Sequence, residues 1–90
     1  MPMVLITCQV EDAERWESEF RTHGALFREQ TISRIDIGTE GNHVGAVFHV
    51  DDLDSYMRIL ESPETAEAMA NDGVMRDTVK VLVLDRRFDP

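Results

Sequence analysis

The stretch Val4-Leu5-Ile6-Thr7-Cys8-Gln9-Val10 decides the fold. A sheet with one face in water alternates apolar with polar residues, whereas a near-continuous apolar run implies cover on both sides. Val79-Lys80-Val81-Leu82-Val83-Leu84, close to the end of the chain, has the same character. Ninety residues hold too few helices to cover a sheet on both faces. The simplest supplier of the second cover is another copy of the same chain.

Ninety residues make one small domain, residues 1–90. A domain of this size buries only about 60–65% of its unfolded surface and is marginal alone. Pairing would raise its stability by mass action. An apolar share of 42% against 30% charged residues is that of a soluble globular protein, not a disordered one. The net charge of −9 would repel a phosphate backbone, which argues against nucleic acid and against an anionic membrane. The apolar start runs straight into Glu11 and Asp12, so it reads as neither a signal peptide nor a membrane span. The single cysteine, Cys8, permits no internal disulfide, which fits a cytoplasmic protein, and mid-strand it reads as an inert core thiol.

Outward from the first strand, Asp12 is placed to cap a helix beginning at Ala13. Ala13, Trp16, Phe20, His23 and Phe27 recur at helical spacing and predict one continuous helix, with Gly24 inside it at a cost of about 1 kcal/mol. Ile32–Gly38 and His43–Val50 read as strands joined through Gly41-Asn42, a hairpin signal. Asp51 or Asp52 then caps a helix carrying Leu53, Tyr56, Met57 and Leu60 on one stripe. Ser62-Pro63 suits a fresh helix start, and the spacing predicts a helix to about Asn71 with Ala66, Met69 and Ala70 inward. Asp72-Gly73 stops it, and the last strand is expected over Thr78–Leu84.

The order β-α-β-β-α-β is the ferredoxin-like α+β pattern, an antiparallel sheet with both helices on one face. The other face is bare, so two copies packed sheet to sheet would close a barrel with helices outside: a dimeric α/β barrel.

At this point the chain resembles the dimeric α/β barrel superfamily, close to the antibiotic biosynthesis monooxygenase-like proteins and their small relatives. The resemblance rests on Trp16–Phe20 leading to His23, on Val47-Phe48-His49-Val50-Asp51-Asp52, and on Leu60-Glu61-Ser62-Pro63-Glu64 followed by Ala68-Met69 and Gly73-Val74. It implies a homodimer with a ligand-sized cavity, and members that act as monooxygenases, cyclases or isomerases without metal or flavin. The chain departs from the pattern at two places. His49 and Val50 stand where many monooxygenase-like members carry glutamate and an aromatic residue, and Ile59 stands where they and the haem-degrading branch place a histidine shortly before the Ser-Pro.

A pocket also follows from the residues themselves. With Gly41-Asn42 at the hairpin tip, residues whose numbers sum to 83 face each other, so Arg34 opposes His49 and Asp36 sits diagonally from it. The uniformly apolar set Ile35, Ile37, Val44, Ala46, Phe48 and Val50 belongs under the helices. Arg34, Asp36 and His49 therefore project onto the bare face, the expected barrel interior, where Thr7 and Gln9 join them by alternation. Both faces of the last strand are apolar, so the side taken by Lys80 stays open. Val47 with one or more of Leu5, Leu82 and Leu84 would wall such a cavity. There His49 could act as acid and base, with Asp36 fixing its tautomer and Arg34 holding an anionic oxygen. The competing reading is a structural ion-pair network inside a dimer interface. His23, among aromatic residues, is either a satisfied core histidine or a ligand contact, and the Tyr56 hydroxyl is placed to reach a cavity. His43 adjoins the turn and is expected in solvent.

The three histidines and single cysteine show no metal-ligand spacing, and no phosphate loop or nucleophile elbow is present. The chain is therefore expected to carry no metal, haem or flavin. The function these observations favour is a homodimer binding a small, partly apolar aromatic or polyketide-like molecule, and turning it over without a cofactor. The alternative is a ligand-binding or stress-associated dimer whose Arg34–Asp36–His49 group is structural. An effector-sensing domain is weaker, because the ninety residues hold no DNA-binding segment.

Overall fold

In the computed structural model, which describes residues 2–90, Gly41 turns the central hairpin at φ +59°, in the left-handed region that glycine enters freely. The hairpin strands are β2 (Ile32–Glu40) and β3 (His43–Val50), flanked by β1 (Met3–Gln9) and β4 (Lys80–Leu84). The four form one antiparallel sheet in the order β2-β3-β1-β4. Four helices connect them: α1 (Ala13–Phe20), α2 (Gly24–Glu29), α3 (Leu53–Leu60) and α4 (Pro63–Asn71). The ferredoxin-like α+β reading holds, with Arg34 opposite His49 and Asp36 opposite Val47 as the hairpin arithmetic requires.

Three helices begin at the expected caps. Asp12 accepts from the Glu14 and Arg15 amides at 3.0 and 3.2 Å, Asp52 from Ser55 at 3.2 Å, and Ser62 from Thr65 at 3.4 Å. Each cap satisfies backbone donors that the first helical turn leaves free. Between helices and sheet, Val4, Ala46, Phe48, Val50 and Tyr56 make one buried cluster, and Cys8, Val10, Trp16 and Val44 another. Aromatic contacts link them: the Trp16 and Phe20 rings lie 4.8 Å apart, and Phe48 and Tyr56 lie 5.7 Å apart. Burial also pushes the Cys8 thiol up, in keeping with an inert core cysteine.

The structure corrects four expectations. The helix expected through Phe27 breaks at residues 21–23. There the Thr22 amide donates to Glu19 and the His23 amide to Phe20, a tighter turn, while the Thr22 hydroxyl takes the Glu19 carbonyl. A threonine competing for a backbone carbonyl, followed by glycine, ends one helix and lets a second start at a new angle. The last strand begins at Lys80 rather than Thr78. The Thr78 hydroxyl accepts the Gln9 amide at 2.9 Å, occupying a donor that a strand partner would use, and residues 76–78 form a 3₁₀ turn. On α4, Met69 faces inward and Ala66 is half-buried as expected, but Ala70 is exposed, while Thr65, Ala68 and, just past the helix, Asp72 also face inward. Finally, a bulge at Ser33 pairs Ile32 with Val50, so an even-numbered residue joins the core; at its other end β2 pairs on to Glu40, opposite His43, instead of stopping at Gly38.

Candidate functional site

Alternation sorts the candidate residues onto two sides of the sheet. On the bare side lie Arg34, Asp36, His49, Thr7 and Gln9, with Lys80 paired to Thr7 and Leu82 to Leu5. His49 Nε2 is 3.0 Å from Asp36 Oδ2, and Arg34 Nε is 3.5 Å from Asp36 Oδ1. The His49 hydrogen bond, ahead of the Arg34 charge, holds the Asp36 carboxyl below its ordinary range. Asp36 and Arg34 are exposed in the single chain, with Asp36 side-chain exposure at 52%, so their ion pair is well solvated and weak. Further along the same face, Gly38 and Gly45 pair directly and leave a recess of about 670 Å³, lined also by Thr7, Gln9, Glu40, His43 and Lys80. It lies four residues along β3 from His49, about 13 Å. The Gln9 amide nitrogen lies 2.9 Å from His43 Nε2 on its rim, and His43 is in solvent as expected. Leu82 is 59% exposed on this face.

His23 and Tyr56 lie on the other side, under the helices, so they do not join the Arg34–Asp36–His49 group. Both line a narrow cavity of about 70 Å³ between α1, α2, α3, α4 and the sheet. Its walls are mostly apolar, with Trp16, Phe20, Phe48, Leu60 and Met69 among them. The Tyr56 side chain is 1% exposed and its hydroxyl has no hydrogen-bond partner among the described residues. Burial pushes its phenol far above the usual range, so the group remains a donor. His23 Nε2 lies 2.9 and 3.1 Å from the two carboxylate oxygens of Asp72, a residue only 4% exposed. Burial raises the Asp72 carboxyl, and the His23 hydrogen bond partly offsets it. Gln30 is buried too, donating to the Tyr56 carbonyl at 3.3 Å.

Asp72 and Gln30 also line this cavity and are not among the site candidates of the sequence reading. Asp72 reads there only as a helix stop. The spacing from Thr65 and Met69 on α4 to Asp72 at its C-cap, four then three residues, was the signal that it faces inward. For Gln30, just after α2, the sequence holds no comparable signal. Among the described residues no three His, Cys, Asp or Glu side chains come together as a metal cluster, and no helix is long and apolar enough to cross a membrane.

No family model matches the chain, and no curated protein is similar to it. Solved structures are similar over almost its whole length. SnoaB from Streptomyces nogalater, described as a cofactor-independent oxygenase, superposes with a TM-score of 0.73 at 19% identity, covering 98% of this chain and 94% of its own. A candidate antibiotic biosynthesis monooxygenase from Bordetella bronchiseptica gives 0.75 at 11% identity and 97% of each chain. A similarly described protein from Deinococcus radiodurans gives 0.65 at 15% identity, over 100% of this chain and 96% of that one. The sheet order, the helices on one face and these superpositions together show that the chain has the fold of the antibiotic biosynthesis monooxygenase-like proteins.

Proposed function

We propose that the chain works as a homodimer closed through its bare sheet face, and that each copy binds a small, partly apolar aromatic or polyketide-like molecule between helices and sheet. It acts on that molecule without a cofactor, as a monooxygenase, cyclase or isomerase. The observation that carries this reading is the Tyr56 hydroxyl, fully buried and unpartnered in an apolar cavity that also holds His23, Asp72 and Gln30. Apolar walls with a few convergent polar groups are the make-up of a small-molecule site. An unpaired buried hydroxyl costs about 1–3 kcal/mol, which a ligand oxygen accepting its proton would recover. The cavity is small beside ligand sites of roughly 300–1,000 Å³. A single ring therefore enters by displacing the flexible Met69, Leu26 and Leu60 side chains.

Calorimetric titration with p-nitrophenol, a flat ring with one acidic oxygen, tests this seat. Wild-type protein should bind one molecule per chain, and Ala68→Leu, which fills the wall, should abolish binding while the dimer persists. Binding unaltered by Ala68→Leu would exclude the cavity.

A second reading puts the chemistry in the barrel interior, favoured by the 3.0 Å His49–Asp36 contact on the face a partner would cover. Under it His49 moves the proton and Arg34 holds an anionic oxygen, with Thr7 and Gln9 nearby. His49→Ala would then abolish p-nitrophenol binding or turnover and keep the dimer, whereas the first reading expects no effect on binding. A purely structural role for this group would show only as a weaker dimer.

A further inference from the structure

We infer that His23 and Asp72 are the acid–base pair of the cavity between helices and sheet, taking the proton from the acidic oxygen of a bound phenol- or enol-like ligand. The inference rests on the ligand seat proposed above and adds to it the group that does chemistry there.

Three observations support it. With Asp72 ionised its carboxylate can only accept hydrogen bonds, which puts the proton on Nε2 of His23, 2.9 Å away. That leaves the lone pair on Nδ1, which has no hydrogen-bond partner among the described residues, on a ring that lines the cavity. The pair is partly shielded, with side-chain exposures of 18% for His23 and 4% for Asp72, so water screens the attraction between them less than on an open surface. Finally, the Asp72 carboxyl is already in hydrogen-bond contact with the ring, so a proton arriving on the imidazole is met by an acceptor in place.

The step balances without an electron donor or acceptor. The ligand O–H bond breaks and an Nδ1–H bond forms. The ligand keeps the electron pair as an oxyanion, to which the protonated Tyr56 hydroxyl, buried in the same cavity, is a suitable donor. The imidazolium then faces the Asp72 carboxylate. The other charges acting on Asp72 are Glu19, which disfavours its ionised form, and Arg15, which favours it. Arg15 reaches the same corner, donating to the Asn71 carbonyl at 2.9 Å. Such an oxyanion is an electron-rich species from which isomerisation, cyclisation or reaction with oxygen can start.

p-Nitrophenol tests the step, because its phenolate is yellow and its phenol is not. Calorimetry reports binding and absorbance reports the proton, so the two can fail separately. Below the probe's own pKa, wild-type protein should bind it mostly as the phenolate, and His23→Gln and Asp72→Asn should bind it as the colourless phenol. Binding with no yellow form in the wild type, or an equal yellow fraction in both variants, overturns the acid–base assignment and leaves the seat intact. Absence of binding overturns the seat itself. Nitrogen-15 spectra of unsubstituted protein keep the test independent of how the variants fold. The His23 ring signals should move from neutral to imidazolium as the probe is added, and signals that stay neutral would refute the proposal.

Discussion

Phe48 and His49 are consecutive on β3, yet they end in different compartments: Phe48 is 5% exposed under the helices, and His49 projects onto the bare face, 3.0 Å from Asp36. One peptide bond therefore separates the two candidate sites. The sheet between them is a single layer whose side chains alternate with a period of two. A substitution on one side can be read against the other as a control, which makes the following outcomes separable.

The bare face should be a dimer interface. Leu82 is 59% exposed there and Leu84 38%, beside Leu5 and Val47 across the sheet. Light scattering should give a mass near twice the 10.3 kDa of the chain. Leu82→Arg should convert it to monomer, because a charge buried without a partner is strongly unfavourable. A compact wild-type monomer at micromolar concentration would refute the interface.

Tyr56→Phe should leave the free protein as stable as the wild type, or more stable by up to about 1 kcal/mol, since the hydroxyl it removes has no hydrogen bond to lose. The same change should weaken p-nitrophenol binding. Calorimetric melting with and without the probe checks both halves. A clearly destabilised free variant would mean that the hydroxyl is bonded within the protein.

Acid should weaken the fold in a defined direction. The Ser55 amide and then its hydroxyl hold the Asp52 carboxyl below its ordinary value of 3.8, and the His49 hydrogen bond does the same for Asp36. A carboxyl whose folded value lies below its unfolded one adds stability above pH 3.8, and that stability is lost as pH falls through the lower folded value. Asp72 has the opposite sign: burial raises it, so its contribution is present at low pH and lost as pH rises through the raised value. Urea midpoints should therefore fall between about pH 5 and pH 3 for wild type, and fall less for Asp52→Asn. Equal slopes would exclude the cap as a source of the acid limb.

Gly73→Ala should destabilise by about 1–2 kcal/mol, because φ at Gly73 is +76° and a side chain there crowds the backbone. A Cβ atom would meet Glu11 no closer than 3.5 Å, so the cost is conformational rather than steric contact. Urea unfolding measures it, and an unchanged midpoint would show that the turn relaxes.

The sheet was legible in the sequence because strand geometry is local. A period of two and a Gly-Asn turn suffice to oppose Arg34 and His49 and to put Phe48 and Val50 under the helices, and short-range caps at Asp12, Asp52 and Ser62 start three of the helices. Where a side chain competed with the backbone the same reasoning failed, as at Thr22 and Thr78, because periodicity carries no record of such hydrogen bonds. The meeting of His23 with Asp72, forty-nine residues apart, was decided only by tertiary structure. It depends on where α2 and α4 lie over the sheet, and the angle between packed helices is set by the side chains filling the space between them rather than by any spacing along the chain.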